Sequence, residues 1–203
     1  MSDKIKSHWE NVYKTKEADA VSWYQPTSNK SIKLIEMSHP NRDAKIIDIG
    51  SGASILIDQL LKSGYENISA LDISEDGLRN TKARVDEKTI NWIVSDILEW
   101  CPKENYDIWH DRAVFHFQTD LEAREKYISC LKKCLRVGGC AIIATFALDG
   151  PEKCSGLPVR RYSPETLEVE LSPSFRLVAS ELENHQTPWG SSQKFQYSRF
   201  IRV

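Results

Sequence analysis

Two segments that combine glycine and aspartate could together bind a nucleoside. The first reads KIIDIGSG over residues 45–52, and the second reads ALDIS over residues 70–74. In each, an apolar run typical of a buried strand ends at an acidic residue. Gly50 and Gly52 allow the backbone to turn sharply and to approach a ligand without a clash at Cβ. Asp72, at the end of the second run, can accept hydrogen bonds from ribose hydroxyls. The sequence therefore predicts a site for a nucleotide-like cofactor.

The glycine turn argues against two common phosphate-binding motifs. A dinucleotide-binding turn has the pattern G-x-G-x-x-G, whose third glycine allows close packing of helix and strand. Here that position holds Ile55, which disfavours an NAD-dependent oxidoreductase. A P-loop is also unsupported, because no G-x-x-x-x-G-K-[ST] run follows an early strand.

The same turn resembles the first motif of class I S-adenosylmethionine-dependent methyltransferases, an acidic-x-Gly-x-Gly-x-Gly pattern. The match lies at Asp48, Gly50 and Gly52, and the chain departs from the pattern at Ser54, where glycine is usual. Serine is still small enough for a ligand to lie against the loop. The resemblance implies that the cofactor is S-adenosyl-L-methionine and that the chain is an enzyme that transfers a methyl group.

The resemblance also implies which residues hold the cofactor, at the carboxyl ends of the strands, where an open α/β sheet binds its ligands. They would be Asp48, Gly50, Ser51 and Gly52 for the methionine part and the ribose, Asp72 and Ile73 for the ribose and adenine, and Asp96 and Ile97 for the adenine.

Three further residues are candidates for the methionine end. Asp111, after the fourth strand, would pair with the methionine ammonium or face the substrate, or it would pair with Arg112 or Arg136 instead. Trp9 and Tyr24 belong to an aromatic cluster before the sheet. Such a cluster is either part of the core or a lid that covers the cofactor and excludes water.

Methyl transfer from a sulfonium depends on alignment and on the exclusion of water. A base is needed only where the acceptor is an amine or a hydroxyl. The candidates for catalysis are Asp111, His116 in the run AVFHF, and His185 in the run NHQTPWG. Each histidine has a structural alternative, within an apolar segment for His116 and in a surface turn for His185.

The loop after the fifth strand, residues 149–162, carries Arg160 and Arg161. Loops over this edge of a sheet often determine specificity. Either arginine could hold an acidic acceptor by a bidentate contact, or both could be solvent-exposed charges.

Composition limits the class of protein. A chain of 203 residues with 40% hydrophobic and 28% charged residues suits one α/β domain. The formal net charge of −2 gives no basic excess for a nucleic-acid substrate. No run is long and apolar enough for a membrane span, and the opening lacks the apolar region of a signal peptide, so we expect a cytoplasmic protein. Five cysteines without a CxxC pair predict neither disulfides nor a metal site.

The pattern of elements predicts one methyltransferase domain over residues 1–203, with an N-terminal helical cap at 1–43 and an α/β core at 44–203. Strands and helices alternate and then end in a hairpin, which indicates a mostly parallel sheet with an antiparallel end. The resemblance implies a Rossmann-like sheet of seven strands in the order 3-2-1-4-5-7-6. The helix after residue 120 is expected to close at Gly138 and Gly139.

The acceptor is open at this stage. A small molecule is favoured, because no appended recognition domain is apparent. A protein lysine methyltransferase is the alternative, since the opening HWENVY is similar to that of compact members that modify proteins. A non-catalytic module that binds the cofactor is a further alternative, and Ser54 lends it support.

Overall fold

Six α-helices and a seven-stranded sheet occur in the part of the chain that the computed structural model describes, residues 2–102 and 104–203. The helices are α1 (Ser2–Thr15), α2 (Asn29–Ser38), α3 (Leu56–Lys62), α4 (Glu75–Lys82), α5 (Leu121–Cys134) and α6 (Pro164–Leu171). The strands are β1 (Ile46–Ile49), β2 (Ile68–Asp72), β3 (Ile90–Val94), β4 (Tyr106–Arg112), β5 (Leu135–Phe146), β6 (Phe175–Gln186) and β7 (Ser192–Arg202). Met1 and Lys103, which the predicted domain includes, lie outside the described residues.

The sheet has the predicted order, 3-2-1-4-5-7-6. Strands β1 to β5 are parallel, and β7 runs antiparallel to both β5 and β6. The Rossmann-like fold is therefore confirmed. The loop after β5 adds a short ladder between Lys153–Cys154 and Leu157–Pro158 that the sequence did not predict.

The sheet is covered on both faces. Ile46 and its neighbours pack with Leu34, Leu56 and Leu78 of α2, α3 and α4. Ile47 belongs to the opposite face, which packs against α5 and α6. All four residues of β1 are buried, as is typical of a parallel strand between two layers of helices. Each fully buried aliphatic side chain of this kind contributes about 1.5–3 kcal/mol to folding.

Side-chain caps set the beginnings of α4 and α5. The Ser74 hydroxyl accepts a 3.0 Å hydrogen bond from the amide of Gly77, and Asp120 accepts one of 2.9 Å from Ala123. These caps satisfy amides that the helix itself leaves free. The N-terminal end of α4, which Ser74 caps, is thereby held beside the carboxyl end of β2.

The prediction that α5 closes at Gly138 and Gly139 is wrong. The helix ends at Cys134, and both glycines lie inside β5. Leu135 is fully buried and pairs with Tyr106, so the chain enters the sheet directly after the helix. Gly138, with φ of +79°, lies where the register between β4 and β5 shifts. The glycines therefore belong to an irregular, bulge-like part of the strand and do not end the helix.

The N-terminal helix α1 is attached to α4. The Glu10 carboxylate accepts hydrogen bonds from the amides of Glu75 at 2.9 Å and Asp76 at 3.4 Å. Lys14 forms an ion pair of 3.3 Å with Asp76. A carboxylate at the first turn of a helix is favourable, because it meets the free amides and the positive end of the helix dipole. This attachment places α1 over the carboxyl edge of the sheet.

No helix among residues 2–102 and 104–203 has the length and apolar character required to cross a membrane.

Candidate functional site

A cavity lies beyond the carboxyl ends of β1, β2 and β3. Gly50 lines it after β1, Asp72 and Ile73 line it after β2, and Asp96 and Ile97 line it after β3. Because parallel strands end at the same edge, the sheet brings together these residues from three separate segments. Trp9 of α1 covers the same cavity.

A second cavity lies beside the turn after β1. Asp48 lines it from β1, Ser51 and Ser54 line it from the turn, and Tyr24 and Ser31 line it from the N-terminal region. The two cavities have five lining residues in common: Tyr13, Trp23, Ile49, Gly50 and Arg112. These shared side chains form the boundary between the two.

Asp72 is a buried carboxyl group that lines the first cavity. Its oxygens accept hydrogen bonds from the amides of Gly52 at 2.9 Å and Ser74 at 2.8 Å. Burial raises the pKa of Asp72 from 3.8 to about 7, and the two backbone hydrogen bonds lower it in part. The group therefore changes its charge near neutral pH.

The two glycines after β1 are required by their surroundings. Gly50 has φ of +66° and Gly52 has φ of +47°, a region that other residues rarely adopt. A Cβ at Gly50 would lie 2.2 Å from Cγ2 of Val114, and a Cβ at Gly52 would lie 2.2 Å from Oη of Tyr13. The glycines therefore let the turn lie close to the side chains that line the cavities.

Tyr13 of α1 lies against two glycines, Gly52 after β1 and Gly77 in α4. A Cβ at Gly77 would be 2.8 Å from Cε2 of its ring. Burial, followed by the charge of Asp72, raises the pKa of Tyr13 well above its ordinary value, so the phenol is neutral. In the sequence, the helical spacing of Tyr13 and Trp9 indicates that the two side chains share one face of α1. The sequence does not show whether that face belongs to the core or forms a lid.

A buried polar network lies under the second cavity. Nδ1 of His110 lies 2.7 Å from the Asp48 carboxylate, and its Nε2 lies 2.9 Å from the hydroxyl of Ser31. Asp48 and His110 are direct neighbours in the register of β1 and β4. All three residues are buried. The network fixes the orientation of Asp48 next to the glycine turn.

Asp111 points to the opposite face of the sheet from His110 and Arg112, because side chains alternate along a strand. Its carboxylate accepts hydrogen bonds from the amides of Val114 at 2.8 Å and Phe115 at 2.9 Å, and a short one from the Tyr127 hydroxyl. Burial raises the pKa of Asp111 to about 6. Asp111 lines neither cavity.

The two predicted catalytic histidines also lie outside the residues that line the cavities. His116 is fully buried against Phe117 and Phe146, and its ring nitrogens have no hydrogen-bond partner among residues 2–102 and 104–203. Burial, together with Arg112, lowers the pKa of His116 to about 3. Nε2 of His185 lies 2.7 Å from the carbonyl of Ser22. Their roles in catalysis stay predictions.

The two arginines of the loop after β5 are in ion pairs. Arg160 lies 2.8 Å from Glu170, and Arg161 lies 3.1 Å from Glu152. Neither lines either of the two cavities described above. Arg112 lines both, and the sequence considered it only as a partner for Asp111. The alternation along β4, which places Arg112 and His110 on one face, is the signal that could have found it.

Sequence comparison relates the chain to known methyltransferases. A family model described as "Methyltransferase domain" matches residues 46–139. A malonyl-[acyl-carrier protein] O-methyltransferase from Ilyobacter polytropus is 32% identical over 150 residues, which cover 68% of this chain and 57% of that protein. An EEF1A lysine methyltransferase 2 from Danio rerio is 26% identical, with coverage of 69% and 67%. The matches thus span 57% of the first relative and 67% of the second.

Solved structures share the whole fold. The N-methyltransferase NodS from Bradyrhizobium japonicum, in complex with S-adenosyl-L-homocysteine, aligns with a TM-score of 0.72 and 16% identity, over 95% of this chain and 97% of that chain. A 1,6-didemethyltoxoflavin-N1-methyltransferase from Burkholderia thailandensis aligns with a TM-score of 0.71 and 20% identity, over 100% and 86%. With its sheet order, its glycine turn and these similarities, the chain has the fold of the class I S-adenosylmethionine-dependent methyltransferases, and its residues 46–139 match their methyltransferase domain.

Proposed function

We propose that the chain binds S-adenosyl-L-methionine and transfers its methyl group to a small-molecule acceptor. The observation that carries this proposal is the cavity at the carboxyl edge of the sheet. There the buried carboxyl group of Asp72, the carboxyl group of Asp96 and the tight turn at Gly50 line one space. These are the groups that a ribose, an adenine and a closely approaching ligand require.

The residues of both cavities fit such a cofactor. Asp72 would accept hydrogen bonds from the ribose hydroxyls, and Ile73 would pack on the adenine. Asp96 would accept from the adenine amine, and the backbone of Ile97 would meet a ring nitrogen. Asp48 and Ser51 line the second cavity, where the amino-acid part would lie. The cofactor, when bound, supplies an electrophilic methyl group on a sulfonium. The protein contributes position and the exclusion of water, which are the main requirements of an in-line displacement.

The aromatic residues of the N-terminal region exclude water. The ring centroid of Trp9 lies 5.6 Å from that of Trp23 and 5.3 Å from that of Phe117, and all three line the first cavity. This supports the interpretation of the segment as a lid. Tyr13 lies against the same glycine turn, so its ring has to shift when a ligand occupies that place.

The relatives support two kinds of acceptor. The malonyl-[acyl-carrier protein] O-methyltransferase and the toxoflavin-precursor enzyme favour a small group or molecule. Three EEF1A lysine methyltransferases, at 22–26% identity, favour a protein lysine as the second candidate. We choose the small-molecule acceptor because the relative of higher identity points to it.

Calorimetric titration with S-adenosylhomocysteine tests the cofactor, and we expect saturable binding. Cofactor carrying a labelled methyl group then tests the acceptor, in a panel of small carboxylic acids, amines and hydroxyl compounds beside a cell extract. Label in a small molecule supports the proposal. Label on a lysine side chain of a protein would overturn the choice of acceptor, and a failure to bind S-adenosylhomocysteine would overturn the cofactor.

A further inference from the structure

Arg112 is the last residue of β4 and contributes to the walls of both cavities. It is positioned where the space beyond β2 and β3 meets the space beside Asp48. Because it alternates with Asp111 along the strand, it points to the face that holds His110. A cation at this boundary can reach a ligand that extends through both cavities.

Three contacts hold the guanidinium in a defined orientation. Its Nε donates a 3.0 Å hydrogen bond to the hydroxyl of Tyr197, and Nη1 donates one of 3.0 Å to the carbonyl of Trp23. The guanidinium carbon also lies 4.5 Å from the ring centroid of Phe195. An arginine fixed in this way loses little further side-chain entropy when it binds a ligand.

The remaining nitrogen, Nη2, is buried and has no hydrogen-bond partner among the described residues. The ion pairs found in residues 2–102 and 104–203 include none to Arg112. The nearby Glu183 accepts a 3.0 Å hydrogen bond from Tyr197. A partly buried cation without a direct counter-ion, one of whose N–H groups is buried and unpaired, favours the binding of an anion.

The positive charge of Arg112 also lowers the pKa values of two neighbouring histidines. The pKa of His116 is lowered first by burial and then by Arg112, and the pKa of His185 is lowered by the same two causes. Arg160 and Arg161, which the sequence suggested as anion clamps, are already paired with glutamates. Of Arg112, Arg160 and Arg161, only Arg112 lines the two cavities described above.

We infer that Arg112 is the carboxylate-binding residue of the site, and that its Nη2 donates a hydrogen bond to the carboxylate of the ligand. This inference rests on the proposed function. The carboxylate has two possible sources, the amino-acid part of the cofactor or the acceptor. A ligand that reaches Nη2 displaces a neighbouring aromatic side chain, because Tyr13 and Trp23 line both cavities beside it.

Binding of two cofactor analogues distinguishes the sources. S-adenosylhomocysteine carries the carboxylate, whereas 5′-methylthioadenosine has the adenosine and thioether without the amino-acid part. If the cofactor supplies the carboxylate, Arg112→Met weakens S-adenosylhomocysteine by about tenfold or more and changes 5′-methylthioadenosine by less than about twofold. Arg112→Lys keeps the charge but loses the planar fork, so we expect an intermediate loss.

Arg42→Met is the matched control. Arg42 also stacks on an aromatic ring, 4.6 Å from that of Tyr65, and lines neither cavity. This variant should bind both analogues like the wild type. Thermal melts of each variant show whether the fold is intact, and Arg112→Lys decides the outcome if Arg112→Met does not fold.

Malonate tests the acceptor as the source. If Arg112→Met leaves S-adenosylhomocysteine unchanged, malonate should bind the wild type saturated with S-adenosylhomocysteine and should fail to bind the variant. The inference is overturned if S-adenosylhomocysteine binds wild type and variant equally and malonate either binds both equally or does not bind the wild type. If the wild type binds neither cofactor analogue, the proposed function fails, and malonate binding to the free wild type and variant decides the inference alone.

Discussion

The amide of Gly52 donates a 2.9 Å hydrogen bond to the carboxyl group of Asp72. The turn after β1 and the end of β2 are thereby joined through the group that is expected to bind the ribose. The second oxygen accepts from Ser74, at the beginning of α4. One side chain thus positions three segments of the cofactor site.

Asp72→Ala should weaken the binding of S-adenosylhomocysteine by about 1–3 kcal/mol, because hydrogen bonds to the ribose are lost. Titration calorimetry measures this change. Asp58→Ala is the control, since Asp58 lies in α3, pairs with Arg84 and lines neither cavity. Unchanged affinity in Asp72→Ala would contradict the placement of the ribose.

The affinity for 5′-methylthioadenosine should fall as the pH decreases through about 7. Burial raises the pKa of Asp72 to about 7, so the carboxyl group is mostly neutral below that pH and mostly charged above it. Hydroxyl donors of a ribose favour the charged form, and binding at lower pH must therefore release a proton. The dissociation constant should rise by up to about tenfold per pH unit below 7.

Calorimetry between about pH 6 and about pH 8, in buffers with different ionisation enthalpies, detects that proton. Asp72→Asn should lose the pH dependence, because it has no group that titrates at this position. A wild-type affinity that does not change over this range would show that Asp72 is not protonated in the free protein.

Gly50→Ala should destabilise the protein and abolish cofactor binding. The substitution forces a side chain into a backbone with φ of +66° and brings its Cβ to 2.2 Å from Val114. Gly190→Ala separates the two effects, since Gly190 has φ of +85° but no atom within 4 Å of an added Cβ. The control should lose only about 1–2 kcal/mol of stability, and thermal or urea unfolding of both variants shows the difference. An equal loss in the two would contradict the close approach at Gly50.

Asp111→Ala should lower the free energy of unfolding by about 3 kcal/mol or more, because two buried amides and the Tyr127 hydroxyl lose their acceptor. Tyr127→Phe removes one of these bonds and also leaves Nε1 of Trp109 without its 2.9 Å acceptor, so it should cost about 1–3 kcal/mol. Urea unfolding measures both. If Asp111→Ala instead kept its stability and lost methyl transfer, the catalytic role predicted from the sequence would be supported.

The order of the sheet could be predicted because local patterns determine it. The apolar strands, the turn at Gly50 and Gly52 and the final hairpin are all visible in the sequence. Asp72 at the end of β2 and Asp96 just after β3 line one cavity, because the carboxyl ends of neighbouring parallel strands meet at the same edge.

The interior of the site could not be predicted to the same depth. The sequence predicts Asp111 as a site residue and Arg112 only as its partner. Alternation places the two side chains on opposite faces, but which face holds the cavities depends on how β4 pairs with its neighbours. The pairing of His110 with Asp48 depends on the same register. The position of Tyr13 depends on how α1 docks on α4, which is a tertiary contact between distant segments.

The position of β7 has a consequence for synthesis on the ribosome. Residues 192–202 are the last strand of the sheet to be translated, yet they lie between β5 and β6. Phe195 and Tyr197 of this strand hold the guanidinium of Arg112. A nascent chain that has not yet extruded β7 therefore leaves the edge of β5 open and the arginine without two of its supports. Arg112 can therefore reach the orientation proposed for carboxylate binding only after Phe195 and Tyr197 have left the exit tunnel.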